Sequence, residues 1–255
     1  MKRTDIVMTE ELKSFLAFDL GHMKEDAFPN KRTDIPYCDD PELLMDIYYP
    51  EEKKDTYPVF LIVFGGGWIS GFRRSRFVEY MLKPLQMGYA CAVAQYTLSL
   101  DDTFPRPVID LKKAVDYLHT HAQELLLDTD NLTLWGESAG GHLALETALL
   151  PNERLGLTGL NTAVKNLVIF YPITDCDTID RYVKTEKDRH LRPDSVMGIF
   201  LASGLNDPQT LDLASPAHWI HPGMPRLWLQ HGTADRLVTP HQSVELAEKM
   251  RRECP

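Results

Sequence analysis

The sequence predicts an α/β protein built on a mostly parallel, doubly wound sheet with helices on both faces, and three observations carry that prediction. Residues 59–64, Val-Phe-Leu-Ile-Val-Phe, are an unbroken apolar run without alternation, the pattern of a strand covered on both faces. Similar short runs recur at 90–96, 131–135, 166–171 and 227–230. Helix-like periodicity separates most of them, and strand alternating with helix indicates a parallel sheet.

Size and charge bound the function classes. At 255 residues the chain has the length of one large domain, expected to run over 1–255 with an N-terminal segment at 1–40 and a cap or loop excursion at 173–214. A formal net charge of -10 disfavours nucleic acid as a partner, since phosphate binding calls for clustered positive charge. No stretch is long and apolar enough to span a bilayer, and residues 1–16 lack the apolar core of a secretory signal. A cytoplasmic protein without membrane contact is therefore expected. Cys38, Cys91, Cys176 and Cys254 are widely spaced with no C-x-x-C pair, which argues against a metal cluster or redox motif.

Each element has a local reason. Thr9 is placed to cap a helix over 9–20, with Glu10 and Glu11 in its favourable first turn. Residues 43–49 read as a strand closed by Pro50, a plausible antiparallel start to the sheet. Pro107 opens a helix whose apolar stripe is Val108, Leu111, Ala114, Val115 and Leu118, while Lys112, Lys113 and Asp116 face away. Residues 131–135 form the strand and 139–149 the helix on either side of Ser138. Within 173–214 only 195–201 has a helical pattern. Thr239-Pro240-His241-Gln242 has the form of a capping box, opening a helix buried through Val244, Leu246, Ala247 and Met250 with a Glu245–Lys249 surface pair.

Two glycine-bearing stretches carry the chemistry. Gly136-Glu137-Ser138-Ala139-Gly140 fits G-x-S-x-G, in which a serine sits on a strained strand-to-helix turn and the glycines permit close packing. Gly65-Gly66-Gly67-Trp68 directly follows the first buried strand, so its backbone N–H groups can serve as oxyanion donors; a flexible turn is the plainer reading. Arg73, Arg74 and Arg76 follow, either solvated or favouring an anionic substrate. His231-Gly232-Thr233-Ala234-Asp235 forms a turn at a strand end, which places Asp235 at the sheet edge where open α/β folds bind ligands.

Taken together, these residues resemble the α/β-hydrolase superfamily, in its hormone-sensitive-lipase-like and carbohydrate-esterase-like branch, from about Leu43 onward. Tyr96, Pro105 with Asp110, and Ser215-Pro216 add to the resemblance. It implies Ser138 as nucleophile, Asp235 as the acid orienting a histidine base, and the N–H groups of Gly66, Gly67 and Ala139 as the oxyanion hole, with no metal or organic cofactor. Its implied activity is cleavage of a small carboxylic ester, a short acyl group on a sugar among the options, through an acyl-serine. Amide cleavage of the arylformamidase type lies within the same range. A catalytically impaired binding protein is the alternative from another class.

The sequence departs from that branch at two points. Phe64 stands where the branch has histidine before the glycines, a position that mainly shapes the loop. The base is the second: the resemblance expects a histidine after one more strand, and none of the nine present fits. His142 matches a packing position, His231 and His241 belong to turns, and His22, His119, His121, His190, His218 and His221 lie elsewhere. The expectation is a carboxyl-terminal truncation, with the base beyond Pro255. Residues 227–230 would then be an exposed apolar edge, able to pair with another copy of the chain.

Overall fold

The computed structural model describes residues 9–17, 20–183 and 189–254. Seven strands form one sheet: β1 (Lys31–Pro36), β2 (Leu44–Tyr48), β3 (Tyr57–Val63), β4 (Ala90–Ala94), β5 (Leu127–Glu137), β6 (Asn166–Phe170) and β7 (Arg226–Gln230). Their order is β1-β2-β4-β3-β5-β6-β7, with β1 and β2 antiparallel and the rest parallel. The α-helices are α1 (Glu10–Leu16), α2 (Arg76–Met81), α3 (Arg106–Thr120), α4 (Ala139–Leu149), α5 (Val196–Leu201), α6 (Pro208–Leu213) and α7 (His241–Glu253). This is the α/β-hydrolase fold.

The strand order decides where a site can form. After β3 the chain steps to β4 on one side, and after β5 it steps to β6 on the other, so neighbouring β3 and β5 flank a reversal of winding. A crevice opens at the carboxyl ends of strands at such a reversal. Val63 pairs with Gly136, so both strands end level and deliver the glycine loop and Ser138 side by side.

Several elements differ from the sequence reading. β1 was not anticipated, because Lys-Arg-Thr-Asp-Ile-Pro carries three charges and alternates half-buried with exposed positions, as an edge strand does. α1 begins as expected, with Leu12 N–H donating to Thr9 Oγ1 at 3.2 Å, but ends at Leu16; residues 18–19 of the expected helix lie outside the described set. α6 was also missed, although Asp207 caps it and Pro208 opens it.

Lys112 does not face away. It is buried, and its Nζ donates to Thr147 O at 2.9 Å and Leu150 O at 2.7 Å, closing the carboxyl end of α4. Burial pulls its pKa down to about 8. The capping box is absent as well: Gln242 turns its Oε1 toward Thr174 N and Asp175 N instead of back to Thr239. In α7, Val244 is exposed, while Gln242 and Ser243 are buried beside Leu246. Glu245 pairs with Arg181 at 3.1 Å and Lys249 donates to Ala217 O, so they do not pair with each other.

β7 bonds to β6 on one side and forms the end of the sheet among the described residues, with Trp228 65% exposed. No described helix is long and apolar enough to cross a membrane.

Candidate active site

Ser138 caps α4 with φ 52 and ψ -126, a conformation in which a non-glycine residue is strained by roughly 1–3 kcal/mol. Close packing enforces it. A Cβ on Gly136 would stand 2.3 Å from Gly140 O, and one on Gly140 would stand 2.1 Å from Val63 O, both backbone atoms that cannot swing aside. Ser138 N–H donates to Phe170 O at 2.9 Å, tying the turn to the end of β6. Among the described residues nothing hydrogen-bonds the Ser138 hydroxyl.

The glycine loop lies against this turn. Gly66 at φ 127 and Gly67 at φ 58 occupy backbone space that suits glycine, and Trp68 follows at φ 61. A Cβ on Gly65 would be 3.5 Å from Ser138 Cβ, so loop and turn are in contact. Phe64 stacks on Tyr96 with centroids 4.4 Å apart, and Tyr96 Oη donates to Phe64 O at 2.9 Å. No acceptor among the described residues takes the N–H of Gly66, Gly67 or Ala139. These three N–H groups and the Ser138 hydroxyl are thereby without a hydrogen-bond partner among the described residues.

Asp235 lies in the turn after β7. Its Oδ1 accepts from Leu237 N at 2.8 Å and Val238 N at 3.0 Å, while Oδ2 lies 3.4 Å from His231 Nε2. His231 is fully used: Nδ1 meets Ser243 Oγ at 2.7 Å and Nε2 meets Val238 O at 2.9 Å. No hydrogen bond or ion pair joins Asp235 to Ser138. The structure thus brings together Ser138, Ala139 and the glycine loop, and leaves Asp235 bound to its own turn.

The other histidines are engaged away from Ser138. His142 is fully buried, accepts from Trp68 Nε1 at 3.3 Å through Nδ1 and donates from Nε2 to Ala214 O at 2.9 Å. Burial holds its pKa down at about 4, so it stays neutral and structural. His22 packs on Phe72, His119 bonds Ala163 O, His121 bonds Tyr117 O and His221 bonds Pro222 O. His190 meets Asp180 and Leu237 O, His218 meets Asp212, and His241 stacks under Tyr182.

Arg73 and Arg74 neither face solvent freely nor wait for an anion, whereas Arg76 is exposed, as the solvated reading expects. Arg73 Nε bonds the fully buried Asp46 at 2.9 Å, and Arg74 bonds it through Nε at 2.7 Å and Nη2 at 2.9 Å. Both also bond Asp34, which holds the Asp34 carboxyl below its ordinary range. This network hitches the far end of the glycine loop to β1 and β2.

Two further groups were not singled out from the sequence. Glu137 accepts hydrogen bonds from Tyr171 Oη at 2.6 Å and from Tyr80 Oη. Its place inside the G-x-S-x-G stretch was the available signal; the tyrosines lie too far along the chain to pair by eye. Asp175, Asp177 and His218 bring ligand-type atoms within 4.8 Å of one another, but His218 Nδ1 already bonds Asp212 at 2.8 Å.

A family model, BD-FAE, matches residues 45–250, most of the chain. The chain belongs to the BD-FAE family. Among curated relatives, "Probable carboxylic ester hydrolase LipM" of Mycobacterium tuberculosis is 27% identical over 205 residues, 77% of this chain and 46% of its own length. Esterase LipQ of the same organism is 26% identical over 225 residues, 86% of this chain and 52% of its own. The chain thus spans about half the length of these relatives. A solved truncated carbohydrate esterase from gut microbiota superposes with a TM-score of 0.79 at 21% identity, covering 91% of this chain and 86% of that one. That likeness speaks for the fold.

Proposed function

We propose that this BD-FAE-family chain is a serine esterase that cleaves a small carboxylic ester through an acyl-serine. The observation that carries the reading is the free Ser138 hydroxyl on a strained turn, beside the unengaged N–H groups of Gly66, Gly67 and Ala139. Ser138 attacks the ester carbonyl, those donors receive the oxyanion, the alcohol leaves, and water releases the acyl group. Asp235 is the acid assigned to orient a histidine base. Esterase names among the relatives support an ester over an amide, and a carbohydrate-esterase neighbour supports an acylated sugar as one substrate class. No metal or organic cofactor enters this reading.

A second reading is favoured by one observation: every described histidine ring is engaged with groups other than Ser138. A hydrolase fold that binds an ester or carboxylate without efficient turnover follows from that. Short-chain p-nitrophenyl ester hydrolysis and fluorophosphonate labelling separate the two. Turnover and labelling that vanish in Ser138→Ala support the esterase; equal rates in that variant overturn the nucleophile. Ligand binding with no labelling at Ser138 supports the second reading.

A further inference from the structure

Glu137 stands directly before Ser138, and the reading above gives its carboxylate no task. The side chain is buried, 9% exposed, yet it carries two donors on one oxygen: Tyr171 Oη at 2.6 Å and Tyr80 Oη. These donors come from separate elements. Tyr80 lies on α2, which follows the glycine loop, and Tyr171 begins the turn that leaves β6. Tyr171 is itself at φ 39 and donates its N–H to Gln230 O at 2.8 Å, while the preceding Phe170 carbonyl holds Ser138 N–H. Gly65 closes another side, since a Cβ there would stand 2.9 Å from Glu137 O and 3.7 Å from Glu137 Cγ.

A side chain needed to fill space at this point would be apolar, because burying a carboxylate carries a desolvation cost that packing alone does not require. Two phenol donors on one carboxylate oxygen form short, charge-assisted bonds with a set direction. They join α2, the end of β5 and the end of β6 at the residue before the strained serine. Strain of that kind persists only while its surroundings over-determine the conformation.

We propose that Glu137 is a positioning residue for Ser138: gripped by Tyr80 and Tyr171, it fixes the turn in the orientation from which the hydroxyl attacks. The proposal rests on the reading of Ser138 as nucleophile. Displacing a nucleophile by a fraction of an ångström lowers the rate of attack and leaves substrate binding largely alone.

The experiment compares the parent chain with Glu137→Gln, Tyr171→Phe, Tyr80→Phe and Glu137→Gln/Tyr171→Phe, following p-nitrophenyl acetate turnover and fluorophosphonate labelling. Tyr80 is 39% exposed, so its variant keeps the fold and serves if another does not. Each single variant is expected to lose roughly tenfold or more in kcat and labelling rate, with KM changed by less than about twofold. The double variant is expected to be no slower than the slower single, because both changes act through one carboxylate. Unchanged kcat in folded variants, a loss confined to KM, or multiplicative losses in the double variant overturn the proposal. Ser138→Ala separates the two levels: turnover or labelling that survives there, or a parent that shows neither, overturns the nucleophile reading itself.

Discussion

Trp68 Nε1 donates a 3.3 Å hydrogen bond to His142 Nδ1, which joins the loop after β3 to the first turn of α4 through one buried pair. Trp68 also stacks on Phe200 of α5 at 4.4 Å, and His142 Nε2 reaches Ala214 O, so the pair ties the excursion after β6 to the site as well.

His142 should make the fold sensitive to acid. Its folded pKa, about 4, lies below the ordinary 6.5, so unfolding takes up a proton as pH falls between those values. The stability it contributes is complete above 6.5 and is lost as pH falls toward 4, by about 3 kcal/mol. Urea melts at neutral pH and near the lower limit check this; His142→Gln should lose less on acidification than the parent.

Glu146 should act in the opposite direction. It is fully buried, neither oxygen has a hydrogen-bond partner among the described residues, and burial raises its pKa well above 4.5 while Lys112 opposes and Asp212 assists that rise. A raised carboxyl contributes stability that is present below 4.5 and lost as pH climbs toward the folded value. Glu146→Gln should therefore show a flatter decline in melting temperature from mildly acidic to mildly alkaline buffer than the parent. An equal slope in both proteins refutes the assignment.

Asp46 should matter to stability, with no role in choosing substrate. It accepts from Asp34 N at 2.8 Å as well as from Arg73 and Arg74, and it is wholly buried. Removing one partner of a buried ionic network costs about 3–5 kcal/mol. Asp46→Ala should lower the unfolding free energy from urea denaturation by that much, and preference between neutral and anionic esters should stay as it was.

Gly140→Ala should be among the most damaging single changes. Alanine would improve helix propensity by about 1 kcal/mol, but its Cβ would lie 2.1 Å from Val63 O and 2.5 Å from Phe64 O. Steric overlap with fixed backbone wins, for a net loss of about 3 kcal/mol. Gly232, with nothing within 4 Å of its Cβ position, is the control: Gly232→Ala should stay within about 0.5 kcal/mol of the parent in thermal melts.

What could be read from sequence followed from how local its cause was. Gly136, Ser138 and Gly140 announce their geometry because backbone contacts between near neighbours demand it, and the buried strands announce themselves by unbroken apolar runs. Lys112 escaped because periodicity fixes which face a residue occupies but not the carbonyls waiting there, and a lysine stem can lie in a core while its ammonium finds Thr147 O and Leu150 O. Asp46 with Arg73, and Glu137 with Tyr171, are separated by 27 and 34 residues, beyond any local pattern. The same holds for Gln242, whose partner Thr174 lies 68 residues away and outweighs a nearby cap.

The anchoring of Arg73 and Arg74 on Asp46 also sets an order of assembly. β3, β4 and β5 can pair as a parallel core, but the ion pairs of Arg73 and Arg74 with Asp46 close only when β2, from much earlier in the chain, has docked antiparallel against β4. On the proposed role of Ser138 as nucleophile, its reactivity is expected to be gained late in folding and lost when the β1–β2 edge frays, before the parallel core melts.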